Sequence, residues 1–211
     1  MLPEVTQALL DDSAFDVSAW LLDELQDVET EMEGAAFVSG SGVKQPKGFL
    51  SYDTVANASW EWGKIGYVAS GHASLINNVD KLRSLKHALK PAYRQNAIWL
   101  MNDTVMELIA NFKDGSGNYI WKSGLTEAAP DTLYGLPVVV DDNLPNVGQD
   151  AFPIAIADWK RAYLIGDHKV GRRLIRDNVT KKGWVKFYLW KRVFGGVINA
   201  QAVKLMKIAT V

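Results

Sequence analysis

Two adjacent aspartates, Asp141 and Asp142, follow a run of valines in the segment LYGLPVVVDDNLP. Paired carboxylates can chelate a divalent metal ion or share the acid and base roles of a hydrolytic reaction. Adjacent residues of a strand point to opposite faces, so these carboxylates converge only across an irregular turn. The letters DDNLP are also typical of a turn that ends a strand. We therefore predict a structural turn, with a small hydrolase or metal enzyme as the alternative.

A glycine-rich segment, SGSGVKQ, has part of the pattern of a nucleotide-binding loop. Gly40 and Gly42 are present, but Gln45 stands where a dinucleotide fingerprint has its third glycine. The segment also does not clearly join a strand to a helix, as that fingerprint requires. We predict that it is a turn and that no dinucleotide binds there.

The segment DGSGNYIWKSGL begins like a calcium-binding loop, with Asp114, Ser116 and Asn118 at alternate positions. Tyr119 occupies the position of the required glycine, however, and Leu125 that of the bidentate glutamate. A plain turn explains the segment better than a calcium site does.

The three histidines, His72, His87 and His168, show no spacing that would bring two of them to one metal ion. The chain has no cysteine, which excludes disulfides, thiolate metal sites and cysteine nucleophiles. Neither a nucleophile elbow nor a phosphate-binding loop occurs. We predict no catalytic residue, no cofactor and no metal ligand, and hence a protein that is not an enzyme.

Tryptophans occur beside basic residues in two segments. Trp60 and Trp62 are predicted to share one side of a strand, and Trp184 and Trp190 flank the letters VKFYL. The basic neighbours of the second pair are Lys186, Lys191 and Arg192. Such aromatics can stack on nucleic-acid bases, although packing in a core or at a subunit contact is the favoured interpretation.

The composition is that of a globular protein, with 211 residues, 48% hydrophobic and 22% charged. No apolar run reaches the roughly 18 residues that cross a bilayer, and the N-terminal letters lack the order of a signal peptide. We expect a soluble intracellular product that does not bind a membrane.

The charges of the chain are separated toward its two ends. Residues 1–43 carry ten acidic side chains and no Lys or Arg, whereas residues 160–207 carry thirteen Lys or Arg against two aspartates. This polarity suits a contact between the two segments or between copies of the chain, and it offers a basic face to a polyanion. Two solvated faces that never meet are the alternative.

A long amphipathic helix with an acidic outer face is predicted from Ser13 to Glu33, where apolar side chains recur every third or fourth residue. Ser13 is the predicted N-cap, with Asp16 three residues later, and Gly34 is the predicted stop. The helix would be about 20 residues or roughly 30 Å long. A turn-rich segment follows, and we place a subdomain boundary near Val43.

The rest of the chain predicts a mixture of helices and strands, mostly antiparallel, and therefore an α+β fold. Pro91 is predicted to end or kink the first of these helices, and Asn102 to cap the second. In order, the predicted elements are helix 74–89, strand AIWLM, helix 103–112, strand LPVVV, and the later strands PIAIADW, RAYLIGD, RRLIRD, WVKFYLWKRVF and AVKLMKIA.

Several long segments follow one another in an order that is more informative than any single motif. After the acidic helix come GAAFVSGSGVKQPKGFL, WGKIGYVASGHASLINNVDKLRSLKHALKPAYRQNAIWLMNDTVMELIANFKDGSGNYIW, LYGLPVVVDDNLP, IAIADWKRAYLIGD and KRVFGGVINAQAVKLMKI. In this order and spacing, over nearly all of the chain, they resemble the major capsid proteins of tailed bacteriophages and prophages, which have the HK97 fold.

The resemblance implies an HK97-like fold with a long spine helix, an axial domain and a discontinuous peripheral domain. Residues 1–42, with the spine helix, and residues 147–211 would form the peripheral domain, and residues 43–146 the axial domain. LYGLPVVVDDNLP would then lie near the symmetry axis around which subunits meet.

The implied function is that of a structural coat protein, found in the virion and assembled in the cytoplasm of a bacterial host. It would self-assemble through hexamers and pentamers into an icosahedral shell that encloses double-stranded phage DNA, bound without sequence preference. A scaffold protein and a maturation protease are further partners that the family implies. An encapsulin-like nanocompartment that encloses a cargo enzyme is the alternative.

Two departures from the family pattern give further expectations. Family members carry an N-terminal arm and a long E-loop before the spine helix, whereas Met1 lies almost at that helix, so the chain is interpreted as N-terminally truncated. Some relatives cross-link an E-loop lysine to an asparagine with the help of a glutamate. The matching segment GWVKFYLWKRV has neither Asn nor Glu. We therefore predict no isopeptide ladder on denaturing gels.

Overall fold

Helices and strands are mixed along the residues that the computed structural model describes, which are 3–113, 121 and 131–210. The helices are α1 (Gln7–Asp12), α2 (Val17–Ser39), α3 (Val79–Ala88), α4 (Pro91–Arg94), α5 (Asp103–Ala110) and α6 (Trp159–Ala162). The strands are β1 (Glu4–Thr6), β2 (Thr54–Ala56), β3 (Ile65–Ala69), β4 (Ile98–Met101), β5 (Thr132–Leu133), β6 (Leu136–Val140), β7 (Ile154–Ala157), β8 (Tyr163–Asp167), β9 (Arg173–Asp177), β10 (Trp184–Trp190), β11 (Val193–Val197) and β12 (Val203–Lys207). This mixture confirms the predicted α+β class. In the described ranges, every helix is too short or too polar to span a bilayer.

Helix α2 begins and ends at residues other than those predicted. Asp16 caps it by accepting a hydrogen bond from the Ala19 backbone N–H at 3.0 Å, whereas Ser13 follows the end of α1. Gly34 lies inside the helix, which continues to Gly40. Both predicted ends were therefore wrong. A single glycine costs a helix only about 1 kcal/mol, and the packing of α2 outweighs that cost.

One face of α2 packs on a three-stranded antiparallel sheet with the strand order β1-β10-β9. Val185, Phe187 and Leu189 of β10 form a buried cluster with Leu25 of α2. Because side chains alternate along a strand, the residues between them lie on the opposite face of the sheet. In this helix and sheet, residues near the start of the chain pack against residues of the C-terminal hairpin.

Strands β8 to β11 form one long, interrupted hairpin. Strand β9 pairs with β10 and β8 pairs with β11, both antiparallel, which confirms the antiparallel C-terminal strands. The ladder is interrupted between the pairs Asp167 with Val193 and Arg173 with Trp190. One side of this interruption is longer than the other, since residues 168–172 lie opposite residues 191 and 192.

A seven-stranded mixed sheet with the order β2-β3-β12-β7-β4-β6-β5 contains most of the core. Helices α3 and α5 cover one face, where Leu82 and Val105 pack with Trp99 of β4 and Met206 of β12. Val38, at the end of α2, packs in the buried cluster on the other face. Covering both faces explains why all four residues of β7 are buried.

The central strands of this sheet come from two distant parts of the sequence. Strands β7 and β12 belong to residues 147–211, yet they lie between β3 and β4 of residues 43–146. The predicted boundary at 146 and 147 therefore does not separate two sheets.

Other local predictions had mixed outcomes. Strands AIWLM and LPVVV and the helix capped by Asn102 are confirmed as β4, β6 and α5. The helix predicted from residue 74 begins only at Val79, because Asn78 caps it by accepting from the Asp80 N–H at 2.8 Å. Trp60 does not lie on a strand; it follows a short 3-10 helix, Asn57–Ser59.

Candidate functional site

The carboxylates after β6 belong to a turn, as predicted. Asp141 Oδ1 accepts hydrogen bonds from the backbone N–H and the side-chain amide of Asn143, at 3.0 and 2.7 Å. Asp142 is exposed and takes no part in these two hydrogen bonds. Buried Asn102 fixes the same turn by donating to the Leu144 carbonyl at 3.3 Å. Within the described residues, no cluster of three side chains could hold a metal ion.

The glycine-rich segment after α2 also has a structural role. A Cβ at Gly40 would lie 2.3 Å from the Pro46 carbonyl oxygen, so the close approach of two backbone segments requires glycine at this position. The Gln45 amide donates to the Ser41 hydroxyl at 2.9 Å and closes the turn on itself. The calcium-like segment from Asp114 to Leu125 lies outside the described residues, apart from Trp121.

The three histidines make separate, local contacts. His72 Nδ1 accepts from the Ser74 N–H at 3.2 Å, and His168 Nδ1 accepts from the Val170 N–H at 3.3 Å. The His87 carbonyl accepts from the Arg94 guanidinium at 3.2 Å. Each histidine therefore supports a turn or helix end.

The acidic and basic ends of the chain meet within one molecule. Arg172 Nε lies 2.7 Å from Glu29 Oε2, and Lys191 Nζ lies 2.9 Å from Glu33 Oε1. The hydrogen bond that the Lys191 ammonium donates to the Glu33 carboxylate raises the pKa of Lys191 despite the opposing effect of burial. These ion pairs hold the hairpin, where its strand pairing is interrupted, against two consecutive turns of α2.

Aromatic side chains lie close to basic side chains on the sheet face opposite α2. The guanidinium groups of Arg173 and Arg192 lie 5.5 and 5.4 Å from the centroid of the Trp190 ring. Lys181 Nζ lies 4.0 Å from the centroid of Trp184. The structure thus brings the predicted tryptophans together with cations, although Lys191 points to α2 instead.

Asp177 fixes the tip of the same hairpin. Its carboxylate accepts from the Thr180 hydroxyl and from the backbone N–H groups of Val179 and Thr180, the latter two at 2.9 and 3.1 Å. The Thr180 hydroxyl, followed by these N–H groups, lowers the pKa of Asp177 to about 2. The carboxylate therefore stays ionised as a turn cap.

Lys204 is a buried cation that the sequence analysis did not identify. It is 5% exposed, and its Nζ lies 5.4 Å from the Trp60 ring centroid. A Cβ at Gly66 would lie 2.5 Å from that nitrogen, so Gly66 provides the space that the ammonium group occupies. No acidic partner reaches Nζ among the described residues, and burial lowers the pKa of Lys204 to about 8.

Two further surface features were not predicted. Trp62 is 74% exposed, and its ring contacts that of Trp60 edge to face, with centroids 6.1 Å apart. A cavity of about 250 Å³ lies beside β5, at one edge of the large sheet. It is lined by Val79, Ile109, Phe112, Trp121, Thr132, Leu133 and Tyr134. These residues are far apart in sequence, so only the fold reveals the cavity.

Solved structures with the same fold include capsid proteins. The capsid of an empty GTA particle, computed with C5 symmetry, is 39% identical, with a TM-score of 0.93 over 99% of this chain and 72% of that chain. The capsid of a native GTA particle is also 39% identical, with a TM-score of 0.92 over 99% of this chain and 71% of that one. The fold is therefore that of the HK97-like capsid proteins.

The sequence itself gives the family. Residues 1–208 match the model of the phage capsid family, and the chain belongs to that family as a structural capsid protein. The holo-SrpI encapsulin complex from Synechococcus elongatus is 12% identical, with a TM-score of 0.71 over 100% of this chain and 73% of that one, and shares the fold alone. No curated protein matches the chain.

Proposed function

We propose that many copies of this chain assemble through hexamers and pentamers into an icosahedral shell that encloses double-stranded DNA. The observation that carries the proposal is the 39% identity to the GTA capsid across 99% of the chain. That capsid was computed with C5 symmetry, the symmetry of a pentamer. Repeated head-to-tail contacts that close into rings would build such a shell from individually weak interactions.

The proposed division into domains follows the family. Helix α2 and the long hairpin would form the peripheral domain, together with the rest of residues 1–42 and 147–211, and residues 43–146 the axial domain. Strands β7 and β12 would be the exception within residues 147–211, because they lie between β3 and β4 in the sheet of residues 43–146. Side-by-side packing of the axial sheets would then place the Asp141 turn near a contact between subunits.

Contacts with packaged DNA would be electrostatic and independent of sequence. Lys169, Arg176 and Lys182 are exposed, and among the described residues none of them has an acidic partner. Cations of this kind release counterions when they meet phosphates, so the affinity would fall steeply with salt. The tight internal pairs of Arg172 and Lys191 leave those two cations unsuited to this role.

The remaining expectations follow from the same assembly. The protein would act without a catalytic step, in the virion, after assembly in the cytoplasm of a bacterial host. A scaffold protein and a maturation protease would be further partners. Family membership supports these partners.

Negative-stain electron microscopy of the protein expressed alone, and together with its neighbouring genes, tests the proposal. Closed shells or rings of five and six copies are the expected result. Monomers under both conditions, at concentrations of tens of micromolar, would overturn it. Nuclease-protected DNA in the particles is expected for a phage-type shell.

An encapsulin-like shell is the second candidate, because the encapsulin complex has the same fold, with a TM-score of 0.71 at 12% identity. The two shells differ in their contents. Particles that carry a single co-purifying enzyme and no protected nucleic acid would support this candidate over the first.

A further inference from the structure

Asp158 is a buried carboxylate that lacks a hydrogen bond at one of its oxygens. It lies at the N-cap position of α6, but its side chain does not cap that helix. The side chain is 3% exposed, and Oδ2 has no hydrogen-bond partner among the described residues. An ionised oxygen that loses its water without gaining a partner destabilises a fold, so buried carboxylates are normally hydrogen-bonded. Asp158 is therefore available to a ligand.

Arg161 covers this carboxylate without a hydrogen bond to it. Its Nε lies 3.7 Å from Asp158 Oδ2, beyond the limit of roughly 3.2 Å for an N–H···O hydrogen bond. The Arg161 side chain is 58% exposed, and its guanidinium lies 5.9 Å from the centroid of the Tyr93 ring. An exposed side chain in a long ion pair costs little to move. The ammonium group of a ligand can therefore take its place at Oδ2.

Asp158 and Arg161 line a cavity of about 480 Å³. This volume falls in the range of about 300 to 1,000 Å³ that is usual for small-molecule sites. Trp159 lines the same cavity, and its buried indole N–H has no acceptor among the described residues. Its ring packs on that of Phe49, with centroids 5.1 Å apart. The other lining residues are Asn96, Ile98 and Lys160.

The cavity lies on the face of the large sheet opposite to α3 and α5. Trp99 packs under those two helices, so its neighbour Ile98, which lines the cavity, points to the other face. Phe112, Trp121 and Leu133 also pack under α3 and α5. The cavity and these three residues are thus on opposite faces of the sheet, and all six lining residues are described.

The charges of the wall select the class of ligand. A metal ion would find a single carboxylate there, and a phosphate would be repelled by Asp158. An amine without an acid group would meet two cations, Lys160 and Arg161. A free α-amino acid carries an ammonium for Asp158 and a carboxylate for the two cations and the Trp159 N–H, so it matches both signs of charge. The apolar Ile98 suits an aliphatic side chain.

We propose that this cavity binds a free α-amino acid with an aliphatic side chain, with its ammonium on Asp158 and its carboxylate on Arg161. Arg161 turns from the Asp158 carboxylate to that of the ligand. The site goes beyond the proposed capsid function and does not depend on it, because every group belongs to one copy. The ligand links α6 to the residues at the start of β4, so binding stabilises the folded chain.

Titration of the full chain with leucine tests the proposal, and two analogues test the ligand class without changing the protein. Leucine should shift the indole resonance of Trp159 in a saturable way in nuclear magnetic resonance spectra. Trp159→Phe assigns that resonance among the eight tryptophans. N-acetyl-leucine lacks the ammonium and leucinamide lacks the carboxylate, so each should bind at least about tenfold more weakly. Equal binding of all three compounds, or no shift with millimolar leucine, would overturn the proposal.

Two variants locate the binding groups. Asp158→Asn and Arg161→Gln should each weaken leucine binding at least about tenfold in calorimetry, and circular dichroism of the free variants checks that they fold. Asp142→Asn and Lys169→Gln change exposed residues outside the cavity, so these matched controls should bind leucine as wild type does. Leucine binding that is unchanged in Asp158→Asn would place the ligand elsewhere and contradict the assignment.

Discussion

Lys191 and Glu33 form an ion pair, 2.9 Å from Nζ to Oε1, at the point where the long hairpin is interrupted. Asp167, the last paired residue before the interruption, contributes a second carboxylate at 3.3 Å. One helical turn earlier, Glu29 holds Arg172. Two ion pairs therefore hold the hairpin against α2 at the place where its strand pairing is interrupted.

Removing this ion pair should destabilise the protein by about 1 kcal/mol. The side chains of Lys191 and Glu33 are 19% and 22% exposed, so the pair is better shielded from water than a surface pair. Urea unfolding of Lys191→Met, Glu33→Gln and the double variant gives the coupling energy directly. A coupling energy near zero would show that the hairpin does not depend on the pair.

The same pair should give a defined dependence on alkaline pH. Because Glu33 raises the pKa of Lys191, the folded state keeps this proton at a higher pH than the unfolded state does. The contribution is complete below the ordinary lysine pKa of about 10.4 and is lost as the pH rises through the folded-state pKa. Wild type and Lys191→Met should therefore converge in stability above that pH.

Replacing Lys204 with methionine should stabilise the protein by about 2 to 3 kcal/mol at pH 7. Burial lowers the pKa of Lys204 to about 8, which means that a charged ammonium at this position reduces the free energy of unfolding. Methionine has a similar shape and no charge, and it fits the same space over Gly66. Thermal unfolding at pH 7 measures the gain.

The pH dependence separates this effect from simple repacking. Between about pH 8 and the ordinary lysine pKa of about 10.4, the unfolded state binds the Lys204 proton and the folded state does not, so wild-type stability rises with pH. The advantage of Lys204→Met should shrink across that window. A constant difference from pH 6 to pH 10 would contradict the buried-charge explanation.

Asn102→Leu should cost about 3 kcal/mol, while Asp142→Asn should change stability by less than about 0.5 kcal/mol. Asn102 accepts from the Val105 N–H at 2.8 Å as the cap of α5 and donates to the Leu144 carbonyl. Asp142 is exposed in the same turn. Denaturant midpoints of the two variants check the contrast, and a large loss in Asp142→Asn would reopen the question of a reactive site there.

Short sequence patterns correctly predicted those helices and strands that depend on the residues within the pattern itself. Asn102 is followed by a helical pattern and indeed caps α5, and the valines of LPVVV form β6. Glycine was a less reliable signal, because Gly34 and Gly40 look alike in sequence. The two glycines differ in a contact that the sequence does not reveal, because a Cβ at Gly40 would collide with the Pro46 carbonyl of another segment and a Cβ at Gly34 would meet only the Asn143 side chain.

Contacts across the fold could not be predicted from the sequence. The strand order that places β12 between β3 and β7 depends on pairing Lys204 with Gly66, 138 residues earlier, and with Ile156, 48 residues earlier. Lys204 has an ordinary place in the letters AVKLMKIA, and its burial follows only from that strand order. The cavity near Tyr134 has the same origin, since α3, α5 and β5 each supply part of its wall.

Gly48→Ala should destabilise the protein by about 2 kcal/mol or more, because the added methyl group has no space. A Cβ at Gly48 would lie 2.4 Å from the Ser39 nitrogen and from the Val38 carbonyl, which are backbone atoms at the end of α2. The backbone N–H of Gly48 also donates to the Gly40 carbonyl at 2.9 Å, so the segment cannot move away without losing that bond.

Gly148→Ala is the matched control for this prediction, since the nearest atom to its added Cβ would be the Asn146 carbonyl at 4.0 Å. Its stability should equal that of wild type or exceed it slightly, because alanine restricts the unfolded chain more than glycine does. Equal losses in both variants would mean that glycine flexibility matters at these positions. A loss confined to Gly48→Ala would show that close backbone contact is what fixes the end of α2 against the loop after it.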